Sequence, residues 1–385
     1  MRFERVILFP LVLIFLPLWG QIVVREEPSM FGLVTRFFFN NGQCTSIIGR
    51  NGTCYTTEEC SQRNGVAEGE CANGLGVCCI FQITTCGGNV IENCTTVRGT
   101  RFNGQVCEFN LEECSSNICF FRLDFDSLTL GSTLASNGDC SSDTISFSSP
   151  SVPLLCGSLS GQHIYLPASI VTDDSFSLNF GLSTASPLAN AYQIQVKQIP
   201  CGQSFTPPFG CNQFFFGQLT GQFESYNYMM GTGYHLNNQN YDICIRTEEG
   251  ICSIAYVAFP GIQGFAFGPD SFLGKMESVN GVKECTADYV LVPNSANAFQ
   301  TLCSVSGPGF VLTPTITRYC GYYLACDAGS MTNLPIIANN TDFRVTVVTD
   351  DFDSTTNMMV GLQFAYQQLP CSGASNAFFL TIAAG

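Results

Sequence analysis

Two histidines and 22 cysteines bound the chemistry open to this 385-residue chain. His163, in GQHIYLP, and His235, in GYHLNNQ, are its only imidazoles, so a three-histidine metal centre is excluded. No H-E-x-x-H pair is present for a zinc protease, and no G-x-S-x-G elbow could supply the serine of a Ser-His-Asp triad. Short glycine fragments such as GTG at 231–233 lack the strand-to-helix setting a phosphate cradle needs. Both histidines therefore read as ordinary sheet or loop residues, and no enzyme is expected. The cysteines point to structure instead. There is no C-x-x-C pair and no histidine beside a cysteine cluster, which argues against zinc. An even number in an oxidising compartment implies up to eleven disulfides, two sulfurs to each.

The N-terminus supplies that compartment. Arg2 and Arg5 precede an unbroken apolar run from Val6 to Trp19, the pattern of a signal peptide over residues 1–20. The run contains Pro10 and Pro17 and is too short for a spanning helix, so no membrane anchor is expected. Sequons at Asn51, Asn93 and Asn339 agree with an exported glycoprotein. The composition is acidic and sparsely charged: 15 Lys+Arg against 30 Asp+Glu give a net charge of −15. Nucleic-acid binding, which needs a basic face to displace counterions, is excluded, and no polybasic membrane patch is present.

Cysteine spacing and hydrophobic period divide the rest. Residues 21–43, with RFFFNNG, read as a linker or leader strand. Six cysteines fall between Cys44 and Cys79, a segment too small to fold on a core alone. From Cys86 onward short runs alternate with period two: Tyr192, Ile194 and Val196 in AYQIQVKQI alternate with Gln193, Gln195 and Lys197. CFFRLDF, SFSLNFGL, ADYVLVP, FRVTVV and MVGLQFAY read likewise, separated by Gly, Asn, Ser and Pro clusters. The chain should be all-β, built of antiparallel sandwiches. AYQIQVKQIPC, ending at Cys201, parallels LQFAYQQLPC, ending at Cys371, and CSSD then LLCG parallels CTAD then RYCG. Two copies of one β unit, 86–201 and 211–371, account for this order, with 372–385 as a tail.

The succession CGG…NCT, ICFFRLDF, CxxD, CG and a last strand resembles the CUB domain, an extracellular β-sandwich module. With CGSLSGQHIYL, QIPC, GCNQFFFG, LTGQFESYNY and YDICIR, the chain is similar to secreted arthropod proteins with tandem CUB domains. The resemblance implies pairs Cys94–Cys119 and Cys140–Cys156 in the first copy, and Cys211–Cys244 and Cys285–Cys320 in the second. The second copy departs from the pattern by inserts around Pro260–Glu284 and Cys303–Thr317. The unit from Cys44 to Cys79, with GTCYTTEEC and GVCC, resembles a clip domain, although its Cys60 to Cys71 gap is shorter than usual. That resemblance implies Cys44–Cys78, Cys54–Cys71 and Cys60–Cys79. Cys86, Cys107, Cys114, Cys201, Cys252, Cys303, Cys326 and Cys371 remain unassigned.

No cofactor is required, but the CUB resemblance makes calcium a candidate. It implies a ligand set of a glutamate before CxxD, the CxxD aspartate and an aspartate after a later strand, all hard oxygen donors suited to Ca²⁺. The first copy has Asp143 but no preceding glutamate, and Gly-Leu-Ser follows SFSLNF, so it should not bind. The second has Glu277 or Glu284, Asp288, and Asp350 with Asp351; a solvated acidic rim is the plain alternative. The aromatic triplets Phe37–Phe39 and Phe214–Phe216 read either as a partner anchor or as packing against a neighbouring module. The expected function is recognition or adhesion: a secreted, non-enzymatic protein binding an extracellular protein or glycan. A non-catalytic regulator of a protease cascade, or a matrix, cuticle or egg-coat component, are the other readings.

Overall fold

The computed structural model describes residues 22–29, 32–39, 41–131, 138–168, 174–181, 191–260, 264–268, 278–280, 285–297, 318–325, 331–339, 342–351 and 359–371, with backbone alone at 22–29, 32–39, 278–280 and 296–297. The expected signal peptide and tail, together with Glu277, Glu284, Cys303 and Cys326, lie outside them. The chain divides into two compact units, Met1–Phe81 and Gln82–Gly385.

In the first unit, Ile22–Ser29 and Gly32–Phe39 pair antiparallel, with Ile22 opposite Phe39. A second antiparallel set runs in the order Gln43–Thr45, Asn51–Tyr55, Gly76–Ile83, Val66–Cys71. Its one α-turn, Thr57–Gln62, starts from a capping box legible in TTEEC: Thr56 Oγ1 accepts the Glu59 amide, and the Glu59 carboxylate accepts the Thr56 amide. The buried apolar set is Tyr55, Cys60, Cys79 and Phe81, with the two rings edge to face. So small a core needs staples, and Cys44–Cys78, Cys54–Cys71 and Cys60–Cys79 supply them.

The second unit contains two sandwiches. In the first copy, one sheet runs His163–Pro167, Ile118–Ser127, Ala191–Pro200, Thr95–Thr100, and the other runs Thr144–Phe147, Asp174–Asn179, Val106–Leu111, Gly88–Val90. In the second copy, Cys211–Phe215, Asn240–Ile245, Phe343–Val348, Tyr289–Leu291, Arg318–Gly321 and Ser278–Asn280 form one sheet. Thr220–Glu224, Gly361–Pro370, Ile251–Ala258, Ile336–Ala338 and Ser295–Asn297 form the other. Strand burial follows the period-two pattern: Phe343, Val345 and Val347 are buried while Arg344, Thr346 and Val348 are half-buried. In AYQIQVKQI the pattern fails at two places, because Gln195 and Ile199 are buried although the alternation places them outward.

The copies repeat one another in detail. Gly88–Val90 runs parallel to Val106–Leu111, as Cys211–Phe215 does to Asn240–Ile245. Three disulfides recur in matching places: Cys86–Cys107 with Cys211–Cys244, Cys119–Cys201 with Cys252–Cys371, and Cys140–Cys156 with Cys285–Cys320. The implied Cys94–Cys119 bond is therefore corrected. Ile118 lies opposite Pro200 in the antiparallel pair of long strands, which brings Cys119 and Cys201 to a Cα separation of 5.0 Å at the same end.

The glutamine before each Pro-Cys is buried and does one job twice. Gln198, 2% exposed, donates from Nε2 to the Ile91 and Glu112 carbonyls and accepts the Cys114 amide. Gln368, 3% exposed, donates to the Gln218 and Arg246 carbonyls and accepts the Glu248 amide. One carboxamide thus satisfies three backbone groups that neighbouring strands leave over.

Candidate functional site

The CxxD aspartates occupy matching positions with different surroundings. Asp143 is fully buried. Its carboxylate accepts Arg101 Nε and Nη2 and the amides of Gly131 and Gly181. Burial pushes its pKa up, but the Arg101 guanidinium and the two amides outweigh that and hold it below the usual carboxylate range. Every lone pair suited to a cation is taken, and Arg101 supplies the positive charge itself. These residues do not fit a metal ion.

In the second copy the Asp350 amide donates to Asp288 Oδ1 at 2.9 Å, as the Gly181 amide donates to Asp143 Oδ1 at 2.8 Å. Asp350 thus stands where the first copy has Gly181. Asp288 is buried, Asp350 half-buried and Asp351 exposed. The Asp350 backbone is thus held against the Asp288 carboxylate, while the third calcium candidate, Glu277, lies outside the described residues. Among the described residues, no three His, Cys, Asp or Glu side chains are grouped as a metal site. His235 is buried nearby, stacked on Phe267 at a centroid distance of 5.1 Å; burial lowers its pKa, with Asp288 and Asp350 pulling the other way.

His163 belongs to the seam between the copies. Its Nε2 accepts the Phe214 amide at 3.1 Å, its carbonyl accepts the Tyr226 hydroxyl, and burial, helped by the charge of Arg122, drives its pKa down to about 3. The second aromatic triplet lies on the same seam. Phe214 is buried against Tyr165, Phe215 sits 5.1 Å from the His163 ring, and Phe216 is partly exposed under Arg246. The first triplet, Phe37–Phe39, lies in a strand described by backbone alone.

Polar bonds continue the seam. Asn227 accepts the Ser158 amide and donates to the Tyr234 carbonyl, Gln239 donates to the Leu154 carbonyl, and Asn237 donates to Asp139. A β-carbon on Gly157, whose φ is +78°, would meet Asn227 Oδ1 at 2.1 Å, so only glycine allows the two loops to approach. Between the strands lies an open cavity of about 230 Å³ lined by Gln162, His163, Gln213, Phe215, Phe223 and Glu224 among others. Gln162 donates to Glu224 and to the Ser225 carbonyl, and burial raises the Glu224 pKa.

The segments GQH, NQFFF and GQFES do not mark their glutamines or Glu224 as site residues, since nothing local says that they converge. Arg101 was missed too; its partner lies 42 residues away. Of the sequons, Asn339 is exposed, Asn51 is half-buried in a strand, and Asn93 is half-buried with Oδ1 accepting the Gln198 amide.

No curated protein matches the chain. Among solved structures, the CUB1-EGF-CUB2 domains of rat MASP-1 match 73% of this chain and 99% of theirs at 12% identity and a TM-score of 0.24. The CUB1-EGF-CUB2 domain of human MASP-1/3 matches 70% of this chain and 95% of its own at 13% identity and a TM-score of 0.23. Residues 208–369, within the second copy, match the family model of the animal CUB domain.

Proposed function

We propose that this is a secreted, non-catalytic recognition protein that binds an extracellular protein or glycan through its tandem sandwiches. The observation that carries the reading is the seam: His163, Gln162, Asn227, Asn237 and Gln239 bond the copies together and leave an open cavity between them. The animal CUB match at 208–369 and nine disulfides among the described residues agree with an exported binding module. Both histidines, the chain's only imidazoles, are buried. The test is crosslinked affinity capture from native extracellular fluid. A stoichiometric partner recovered by the oxidised protein and lost on reduction supports the reading; recovery no better than an unrelated disulfide-rich domain sinks it.

The three-disulfide unit of Cys44–Cys79 favours a second reading, a regulator of a secreted protease cascade. Cascade output in the presence of the purified chain decides it. Calcium belongs to either reading: Asp288 and Asp350 would hold it, adding positive charge at the end of the second copy. Titration of Asp288→Ala and Asp350→Ala against the parent checks this, and equal affinity in all three rejects the site.

A further inference from the structure

Cys94 and Cys114 belong to two loops that the first copy brings side by side, and the nine bonds described above do not include them. Gly88–Val90 runs parallel to Val106–Leu111 with Val90 opposite Leu111, and the Glu112 amide, donating to the Val90 carbonyl, carries the pairing one step further. Cys94 and Cys114 follow four and three residues beyond that last pair. Gln198 then fastens both loops. Its backbone amide donates to Asn93 Oδ1 at 2.8 Å, the same oxygen that accepts the Cys94 amide at 2.9 Å and lies 3.7 Å from Cys94 Sγ. Its Oε1 accepts the Cys114 amide at 2.7 Å, and its Nε2 donates to one carbonyl of each loop, Ile91 and Glu112. Each cysteine is thus held within two hydrogen bonds of one glutamine.

The second copy shows what the Cys114 position does with a different side chain. Gln368 plays the part of Gln198, and the amide it accepts belongs to Glu248, so Glu248 stands where the first copy has Cys114. The Glu248 carboxylate crosses to the facing loop and accepts the Gly217 amide at 2.7 Å. A side chain at this place therefore ties the two loops together. On the facing loop of the first copy, Cys94 turns at φ +58°, in the left-handed region that residues other than glycine seldom enter. Such a turn is kept where it places a side chain for use. Cys94 is also 1% exposed, which closes its sulfur to other molecules and leaves it only neighbours in its own fold. We propose that Cys94 and Cys114 are a covalent modification site: they close a tenth disulfide, which in the first copy replaces the Glu248 to Gly217 tie of the second. Cys114 is exposed, so it is the sulfur that a disulfide oxidoreductase reaches first in the oxidising compartment where the other bonds form. The Cys114 thiolate attacks the oxidoreductase disulfide and displaces one of its sulfurs; the Cys94 thiolate then attacks Cys114 Sγ and displaces the other. Two electrons pass to the oxidoreductase, whose two thiolates take up the protons the cysteines gave up.

The test uses the full-length protein, expressed into an oxidising compartment, purified without reductant and treated with N-ethylmaleimide in denaturant. Trypsin with glutamyl endopeptidase cuts after Glu92, Arg98, Glu113 and Arg122, which separates peptide 93–98, holding Cys94, from peptide 114–122, holding Cys114 and Cys119. The expected result is a linked fragment in which electron-transfer spectra place Cys94 on Cys114 and Cys119 on the Cys201 peptide, with Cys94 and Cys114 closed to maleimide. In Cys119→Ser/Cys201→Ser, peptides 93–98 and 114–122 should remain joined. In Cys114→Ser, Cys94 should take the label once the chain is denatured. Maleimide on both cysteines of the parent, a bond from either to any other cysteine or to a small thiol, or a disulfide-linked dimer through Cys114 overturns the proposal. Where a variant fails to fold, the spectra of the parent decide alone.

Discussion

The Arg101 guanidinium holds the Asp143 carboxylate at two points, with Nη2 on Oδ1 at 2.8 Å and Nε on Oδ2. In the first copy this pair takes the place of a cation site, and it is a stability element with its own pH signature. Arg101→Met leaves a fully buried carboxylate unpaired and should cost about 3–5 kcal/mol in urea unfolding. Because Asp143 is held below the ordinary range when folded, its contribution is present above the unfolded value of about 3.9 and is lost as pH falls through the folded value. Asp143→Asn should flatten that acid limb; an unchanged limb would assign the pH dependence to other carboxylates.

His163 should make stability fall at a higher pH. Its folded pKa of about 3 lies below an unfolded value of about 6.5, so the unfolded chain binds the extra proton between the two. Its contribution is complete above the unfolded value and is lost progressively as pH falls from there to the folded value. His163→Gln keeps an acceptor for the Phe214 amide and removes the titration. The expected result is a shallower decline over that window, measured as the denaturation midpoint from neutral pH to about pH 4.

Replacing Cys119 and Cys201 together by serine opens a loop whose ends are 82 residues apart. The chain-entropy estimate gives a loss of about 4.5 kcal/mol. Non-reducing peptide mapping of the parent should find these two cysteines in one linked fragment, and a Cys94–Cys119 fragment would contradict the fold.

Gln198→Leu and Gln368→Leu each strand three backbone groups for one side chain. Each should destabilise by about 3 kcal/mol with far-ultraviolet circular dichroism unchanged. A cost below about 1 kcal/mol in both would show that water replaces the carboxamide.

Legibility followed the range of the interaction. Period-two burial in FRVTVV and SFSLNF is local and was plain in the sequence, as was the repeat ending in Pro-Cys. Gln195 broke the alternation because it is buried against Thr96, which sits 99 residues away, and sequence period says nothing of such a neighbour. Gly181 after SFSLNF was visible as a missing ligand. That Arg101 fills the role, and that the GQH, NQFFF and GQFES segments meet around one cavity, follow only from how the copies pack.

The bond from Cys252 to Cys371 joins positions 119 residues apart and closes the larger part of the second copy, and Cys119–Cys201 does the same for the first. A single cut by a protease anywhere inside either span releases no fragment: the severed pieces stay covalently joined. In a fluid full of proteases, each copy can be nicked and still leave as one molecule, with damage visible only after reduction.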